Sequence, residues 1–486
     1  MIFGVAQKFS SKTRHIVCRR AKISSSAKKR SRDEPQKGKI KMCAIVGVIN
    51  SKDAARTAYY ALFAMQHRGQ EASGISACEN GRIETVKGRG LVTEVFDKTN
   101  LESLKGDMAI GHNRYATAGK NSAADAQPIA ANYSLGQVSI VHNGNLVNKD
   151  EVRNALIAEG AIFQSNMDTE NIVHLIARSR SEHLQDRIVA ALKQIKGAYC
   201  LLIQSRHKIF AIRDRWGVRP LSLGRLKDGG YIVASETCAF DLVGATFIRD
   251  VEPGEMLVFE QGKSEFESVR LFEAEPRVCA FEYIYFARPD SVIEGKSVYE
   301  VRKKMGETLA KKSKIDADFV VPVPDSGVPA ALGYANASGI PFELAIVRNH
   351  YVGRTFIEPT QEMRNLKVKL KLNPMASLLK GKSVVVVDDS IVRGTTSKKI
   401  VELLRHAGAR EIHFKVACPE LKYPERYGID TPSFEELISA NKTPEEVCKF
   451  IGADSLEFLD VDELVSSIGS ERKYSLVSFD GDYFIK

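Results

Sequence analysis

The sequence predicts an α+β first half, rich in β-strands, and an α/β second half built on a parallel sheet. At 486 residues the chain is too long for one ordinary domain. Residues 43 to about 275 alternate β-rich segments with two or three helices, whereas residues 276 to about 440 alternate apolar strands with amphipathic helices. We therefore divide the chain into a leader, 1–42, and two domains, 43–275 and 276–486, the second closing with short capped helices.

The leader carries the charge imbalance of the whole chain. It holds 13 of the 70 Lys and Arg residues and 2 of the 60 Asp and Glu residues, so the remainder has 57 basic and 58 acidic groups. Its biased polar composition predicts disorder. Three interpretations stay open: an extension from a mis-assigned start codon, a removable propeptide or organellar transit segment, or, least favoured, a basic arm for nucleic acid.

The eight cysteines include no C-x-x-C pair, which argues against a zinc ribbon and a disulfide framework and favours a reducing, cytoplasmic location. No apolar run approaches the roughly 18 residues of a membrane span, so we expect no membrane role.

Cys43 opens the apolar segment 43–49, directly after the leader. If Met42 is the true initiator, its removal leaves Cys43 with a free α-amino group of pKa roughly 7.7–8.0, beside a thiol of about 8.5. Such a cysteine is a nucleophile that carries its own general base. The alternative is an ordinary buried strand cysteine.

Three further segments of the first domain carry polar residues suited to an amide substrate. Arg114 stands among small residues and is suited to clamp a carboxylate. Asn143 and Gly144 place an amide donor beside a backbone N–H, as an oxyanion hole requires, although this pair also fits a hairpin turn. Residues 165–170, which include Asp168, precede an amphipathic helix and also fit an N-cap.

Residues 384–396 predict a site for a phosphorylated sugar. Four valines form a buried strand that ends at Asp388 and Asp389, whose carboxylates can accept hydrogen bonds from a ribose diol or hold Mg²⁺. The next loop can wrap a phosphate with N–H groups and hydroxyls in front of a helix that begins near Ser397. The alternative is an Asp-rich helix cap. The loop residues that we assign to substrate are Ser390, Arg393, Gly394, Thr395 and Thr396.

In combination these segments resemble a known enzyme family. Residues 384–396 are similar to the phosphoribosyl pyrophosphate (PRPP) motif of type I phosphoribosyltransferases, and the first-domain segments resemble the glutaminase domain of N-terminal-nucleophile amidotransferases. Residues 43–486 as a whole resemble the glutamine PRPP amidotransferases. The resemblance implies an αββα sandwich of N-terminal-nucleophile type followed by a type I phosphoribosyltransferase domain. Further similar stretches are 65–75, 213–221, 234–237 and 281–290.

The resemblance assigns roles in the first domain residue by residue. It implies that Cys43 attacks the glutamine side-chain amide, forms a thioester and releases ammonia. Arg114 would hold the substrate α-carboxylate and Asp168 its α-ammonium. Asn143 and the Gly144 N–H would stabilise the oxyanion.

In the second domain the resemblance implies a pyrophosphate and Mg²⁺ loop at 321–327, with Asp325 binding substrate. Ser326, Asp388 and Asp389 match metal-associated positions. Residues 348–358 would fold over PRPP, and because Arg348 and His350 replace the lysine and arginine of many relatives, the side chain that contacts pyrophosphate is left open. The implied products are 5-phosphoribosylamine, glutamate and pyrophosphate, at the first committed step of purine synthesis.

The family also implies a Mg²⁺ cofactor, purine nucleotides as feedback inhibitors and a homotetramer or dimer. Many members hold a [4Fe–4S] cluster, but here Glu425 replaces the second cysteine after Cys279, and no cysteine follows Cys448. We therefore predict no cluster, as in the cluster-free branch. Two alternatives stay open: a different amidotransferase with a sugar-isomerase domain, and an ammonia-dependent or regulatory homologue in which an internal Cys43 masks the glutaminase.

Overall fold

The protein is described here by a computed structural model over residues 42–115, 123–349, 371–429 and 431–485. These residues belong to one compact unit. The predicted disorder of the leader concerns residues outside the described ranges, except for Met42, and the predicted boundary near residue 275 stays a prediction. Within the described ranges no helix is long and apolar enough to cross a membrane.

The first half is built from short strands and short helices. Its strands are β1 (Ala44–Ile49), β2 (Ala72–Glu79), β3 (Arg82–Arg89), β4 (Met108–Arg114), β5 (Ile129–Tyr133), β6 (Gly136–Leu146), β7 (Gly197–Gln204), β8 (Lys208–Arg213), β9 (Ser222–Arg225), β10 (Tyr231–Ala234), β11 (Thr246–Asp250), β12 (Glu255–Glu260) and β13 (Phe266–Arg270). Its helices are α1 (Ala54–Ala64), α2 (Val92–Val95), α3 (Lys98–Ser103), α4 (Lys149–Ala158), α5 (Asp168–Arg178), α6 (Leu184–Leu192) and α7 (Cys238–Val243).

These elements form the predicted four-layer αββα sandwich. One sheet has the order β11-β9-β10-β1-β4-β2-β3 and the other β13-β12-β8-β7-β6-β5. Successive residues of a strand face opposite sides, so each strand contributes to two cores. On β1, Ile45 and Ile49 pack against Val141 and Leu202 of the facing sheet. Helices α1 and α7 cover the outside of the first sheet, and α4, α5 and α6 cover the outside of the second.

The expectation of two or three helices in this half is wrong. Helices α2, α3 and α7 contain four to six residues, which is too short for the 3.6-residue period to appear in the sequence. The prediction therefore missed them, and the four longer helices, α1, α4, α5 and α6, still exceed the expected number, although the layer order was correct.

The second half contains the predicted parallel sheet. Its strands are β14 (Val278–Cys279), β15 (Val292–Ile293), β16 (Lys296–Ser297), β17 (Phe319–Pro322), β18 (Ile346–Arg348), β19 (Leu372–Pro374), β20 (Ser383–Asp388), β21 (Glu411–Val416), β22 (Ser455–Phe458) and β23 (Tyr474–Ser475). Its helices are α8 (Val298–Lys312), α9 (Val328–Ser338), α10 (Ala376–Leu379), α11 (Thr395–His406), α12 (Ile438–Asn441), α13 (Pro444–Ile451), α14 (Val461–Ile468) and α15 (Val477–Asp480).

Strands β17, β20, β21 and β22 run parallel in that order, so their carboxyl ends meet at one edge of the sheet. The valines of β20 are completely buried between helices, as a continuous apolar run predicts. Thr443 and Asp460 cap α13 and α14 through capping boxes, which confirms the expected short capped helices.

A buried ion cluster joins the two halves. Arg68 donates from Nη1 to Glu236 (2.5 Å) and Glu282 (2.9 Å), and all three side chains are completely buried. Glu236 also accepts from the Ser291 hydroxyl (2.8 Å) and the Arg288 N–H (2.9 Å). Burial acts to raise the pKa of Glu236, but His67 and Arg68 outweigh burial and hold that pKa far below its usual range.

We expect Glu236→Gln to lower the free energy of unfolding by about 3 kcal/mol at pH 7, because it leaves buried Arg68 with less compensating charge. The folded-state pKa is depressed, so the contribution of Glu236 is present above the unfolded value of about 4.3 and is lost as pH falls below it. Urea unfolding at several pH values measures this difference. Glu84→Gln, in the exposed pair with Arg82, is the control and should change little. Equal stability losses in the two variants would contradict the prediction.

Candidate active sites

Cys43 immediately precedes β1 and lies in the layer between the two sheets, because it shares the strand face of Ile45. Its carbonyl oxygen accepts a hydrogen bond from Arg68 Nε (3.0 Å), and its Sγ lies 3.9 Å from the carbonyl oxygen of Tyr115. Arg68 belongs to the stretch 65–75, which resembles the family but has no predicted role of its own. The tertiary contact is what identifies it as a support of the nucleophile.

The predicted substrate clamps lie beside this cysteine. Strands β1 and β4 pair with Ala44 opposite Asn113, which sets Cys43 next to Arg114. Arg114 is buried, and its Nε has no hydrogen-bond partner among the described residues. Asp168 begins α5, accepts from the Leu146 N–H (2.9 Å) and lies 3.4 Å from His142 Nδ1. The N-cap residue is Met167, inside the segment 165–170, but no side chain caps the helix.

The pKa values of two groups in the site shift in opposite directions. Burial raises the pKa of Asp168, but His142 outweighs burial, so the pKa is lower than usual and the carboxylate is ionised at neutral pH. Burial raises the pKa of the Cys43 thiol, and the field of Arg114 and Arg68 offsets this only in part. A thiol of raised pKa needs a base. In the full chain the nitrogen of Cys43 is in a peptide bond with Met42, and the buried Met42 Sδ lies 2.7 Å from Arg68 Nη2.

Asn143 and Gly144 lie inside β6, so the hairpin-turn interpretation is wrong. Asn143 shares the strand face of Val141 and points toward the first sheet, where Cys43 lies. Its side chain is completely buried, and neither amide atom has a hydrogen-bond partner among the described residues. An unpaired buried amide costs about 1–3 kcal/mol per group, which a bound substrate can recover.

The second site lies at the carboxyl ends of β17 and β20. Asp388 ends β20 and Asp389 follows it, both largely buried. The Asp389 N–H donates to Asp388 Oδ1 (2.9 Å), and the Ser390 hydroxyl donates to Asp389 Oδ1 (2.7 Å). Burial lowers the pKa of Arg302 to about 10. It outweighs the electrostatic field of Asp389, in which Arg302 lies and which acts to raise that pKa. These acidic residues therefore form a compact negative site at the edge of the sheet.

The predicted phosphate loop follows this edge. Gly394 adopts a left-handed conformation (φ 70°) at the N-cap of α11, and an added Cβ would lie 2.6 Å from Ile438 Cδ1. Helix α11 begins at Thr395, two residues before the predicted start near Ser397. Thr395 and Thr396 are exposed in its first turn. Arg393 donates to Glu436 (3.1 and 3.3 Å) instead of reaching into the loop.

The predicted pyrophosphate loop lies between β17 and α9. Asp325 and Ser326 are located there, and Asp325 pairs with Arg348 at the end of β18. The segment predicted to fold over PRPP continues through residues 350–358, which lie outside the described ranges. The structure thus brings Asp325, Arg348, Asp388 and Asp389 to one edge of the parallel sheet.

The residues at this edge fit a magnesium ion held jointly with substrate. No group of three or more metal-binding side chains occurs within the described ranges. Two adjacent carboxylates suit Mg²⁺, which usually keeps waters and binds substrate phosphate oxygens. At the position of the second cluster cysteine, the Glu425 carboxylate forms an ion pair with buried Arg219 (3.2 Å). The prediction of no iron–sulfur cluster stays a prediction.

Two family profiles match the chain. The glutamine amidotransferase domain matches residues 112–241, and the phosphoribosyl transferase domain matches residues 294–442. The fold and the two sites therefore define a glutamine amidotransferase joined to a phosphoribosyltransferase.

The similarity to named proteins extends over nearly the whole chain. Amidophosphoribosyltransferase 1, chloroplastic, of Arabidopsis thaliana is 47% identical over 93% of this chain and 80% of its own length. The Bacillus subtilis amidophosphoribosyltransferase is 47% identical over 92% of this chain and 95% of its own length. A solved structure of the B. subtilis glutamine PRPP amidotransferase, complexed with ADP and GMP, has a TM-score of 0.87 and 45% identity, covering 91% and 98% of the two chains. The chain belongs to the amidophosphoribosyltransferase family, the glutamine-dependent transferases of the first step of purine biosynthesis.

Proposed function

We propose that the chain produces 5-phosphoribosylamine at two coupled sites, with ammonia released at Cys43 and consumed beside Asp388 and Asp389. The observation that carries the proposal is the buried, unpaired amide of Asn143 in the layer that also contains Cys43. A buried polar group without a partner requires an explanation, and a bound substrate amide supplies one beside Cys43.

At the first site, Arg114 binds the α-carboxylate of glutamine and Asp168 binds its α-ammonium. The α-amine of an N-terminal Cys43 takes the thiol proton, and Sγ attacks the amide carbon. The oxyanion accepts hydrogen bonds from Asn143 Nδ2 and the Gly144 N–H, each worth roughly 3–4 kcal/mol in comparable sites. Collapse breaks the C–N bond, ammonia leaves with a proton from the α-ammonium, and water then hydrolyses the thioester to glutamate.

At the second site, Asp388 and Asp389 hold the ribose hydroxyls of PRPP. Ser390, Gly394, Thr395 and Thr396 bind the 5-phosphate at the start of α11, where the helix dipole is positive. Ammonia attacks C1 of the ribose, pyrophosphate leaves toward Asp325 and Arg348, and the added amine loses one proton. Arg393, which forms an ion pair with Glu436, is the remaining loop residue that we assign to substrate.

A bound Mg²⁺ supplies charge neutralisation for the pyrophosphate, and Ser326, Asp388 and Asp389 are the residues that would hold it. Purine nucleotides are proposed as inhibitors because a similar enzyme was solved with ADP and GMP. A homotetramer or dimer and a cytosolic location remain proposals. The names of the plant relatives place those proteins in chloroplasts, which keeps a transit function for residues 1–42 open.

The test is a comparison of chains that begin at Met1 and at Met42. We expect the short form to lose Met42 and to hydrolyse glutamine, and the long form to lose glutamine-dependent turnover by at least about 100-fold, because a general base contributes 10²–10⁴-fold. Ammonia-dependent turnover should be equal in both. Intact mass identifies each N-terminus, and coupled assays measure glutamate and phosphoribosylamine.

The matched control is the short form with one alanine inserted between Met42 and Cys43, which moves the amine by a single residue. It should behave like the long form. Full glutamine activity in a chain whose mass shows residues 1–42 still attached would refute the N-terminal base and leave Cys43 with another base. If neither the long form nor the short form hydrolyses glutamine while both keep normal ammonia-dependent turnover, the result would support the ammonia-dependent alternative.

A further inference from the structure

The backbone of Gly144 is enclosed by two other segments of the chain. On one side lies β7, where a Cβ added to Gly144 would meet the Ala198 carbonyl oxygen at 2.0 Å. On the other side lies Gly428 of the second half, since a Cβ added to Gly428 would lie 2.9 Å from Gly144 Cα and 3.0 Å from Gly144 C. The second half of the chain therefore contacts the peptide that we assign to the oxyanion hole.

The segment Glu425–Ile429, here called the strap, is held rigidly. The Glu425 carboxylate accepts from the N–H groups of Tyr427 (2.8 Å) and Ile429 (2.7 Å), which closes the strap into a tight loop. Gly428 has a φ of 112°, a backbone conformation that residues with a side chain rarely adopt. The sequence of the strap is therefore suited to present bare backbone at Gly428.

Two side chains of the first half, Arg219 and Asn145, form hydrogen bonds with the strap. Arg219 donates from Nε (3.1 Å) and Nη2 (3.0 Å) to the Tyr427 carbonyl oxygen, and Nη2 also reaches Glu425 Oε1 (3.2 Å). The side-chain amide of Asn145, next to Gly144, donates to the Arg426 carbonyl oxygen (2.9 Å). Arg219 and Glu425 are buried, so water does not compete for this ion pair.

We propose that the strap is a positioning element for the oxyanion hole, in which Gly428 seats the Gly144 peptide and the Arg219–Glu425 pair holds Gly428 in place. The inference rests on the proposed role of Gly144. An oxyanion donor acts only at a distance of 2.7–3.1 Å from the developing charge, so a small displacement of Gly144 reduces catalysis. The strap contributes no group that touches glutamine.

The experiment compares Gly428→Ala with Gly452→Ala in the glutamine-active enzyme. Gly452 also has a left-handed φ (81°), but its added Cβ has only Val401 at 3.8 Å, so the control reproduces the backbone strain away from the site. We expect Gly428→Ala to lower kcat for glutamate release by about 10- to 100-fold, with a much smaller change in the KM for glutamine. Ammonia-dependent turnover should be unchanged in both variants.

Alkylation of Cys43 by iodoacetamide separates positioning from general damage, because this displacement forms no oxyanion. Gly428→Ala should keep the alkylation rate of the parent enzyme. Normal glutamate release in Gly428→Ala would overturn the inference, whether or not phosphoribosylamine formation is lost. If Gly428→Ala also loses ammonia-dependent activity, Glu425→Ala decides by the same readouts, and loss of both activities there would overturn the inference.

Failure of this inference is distinguishable from failure of the proposed function. If Cys43→Ala removes glutamine-dependent turnover while Gly428→Ala retains it, only the strap has been assigned wrongly. If Cys43→Ala retains glutamine-dependent turnover, the nucleophile itself has been assigned wrongly.

Discussion

Cys43→Ala is expected to abolish glutamine-dependent formation of phosphoribosylamine and to leave ammonia-dependent formation within about twofold of the parent enzyme. The reason is the separation of the two sites: the thiol lies in the layer between the first-half sheets, whereas the acidic edge belongs to the parallel sheet. Loss of a nucleophile removes the thioester step altogether, with rate losses of up to about 10⁶-fold in comparable enzymes.

The control for this substitution is Cys78→Ala. Cys78 is a buried thiol of β2, and burial raises its pKa, so it is not a thiolate at neutral pH. We expect full glutamine activity from the control apart from a loss of stability. Initial rates with glutamine and with ammonium chloride measure both activities. Loss of ammonia-dependent turnover in Cys43→Ala would contradict the two-site assignment.

Asp389→Asn is expected to have the second large effect, a fall of about 10- to 100-fold in phosphoribosylamine formation from either glutamine or ammonia. A hydrogen bond to a charged group contributes about 1.5–3 kcal/mol, and the substitution removes charge from the site that we propose for the ribose hydroxyls and Mg²⁺. Basal glutamate release without PRPP should stay unchanged, because Cys43, Arg114 and Asn143 are untouched.

Asp318→Asn is the matched control, since Asp318 lies at the opposite end of the same sheet. It accepts from the Ser383 N–H and pairs with Lys382, both 2.8 Å away. We expect its turnover to equal that of the parent enzyme. Steady-state kinetics with varied PRPP and Mg²⁺ measure the effect, and equal turnover in Asp389→Asn and Asp318→Asn would show that Asp389 does not bind substrate.

Local sequence was sufficient where a site is made of consecutive residues. The run from the β20 valines through Asp388 to Thr396 is a strand, a loop and a helix start in unbroken order, so its local structure was predictable before any fold was known. The same holds for the strand after Cys43 and for the capping boxes of α13 and α14. In each case the decisive interactions join residues a few positions apart.

The layer order of the first half was implied by its resemblance to N-terminal-nucleophile amidotransferases, and the two sheets with helices outside confirm it. Sequence alone left Asn143 and Gly144 open between a hairpin turn and an oxyanion hole, because the same two residues suit both. The strand pairing of β6 excluded the turn, and the buried, unpaired amide of Asn143 supports the oxyanion hole as a proposal.

The tertiary structure alone decided which distant residues share a site. Arg68 meets Glu282 across 214 positions, and Asn145 meets Arg426 across 281. Local propensity contains no information about such pairs, since their energy exists only after both sheets and both halves have packed. The sequence therefore determined the two segments to which we assign the chemistry, and the packing determined how Cys43 is supported and how the second half reaches Gly144.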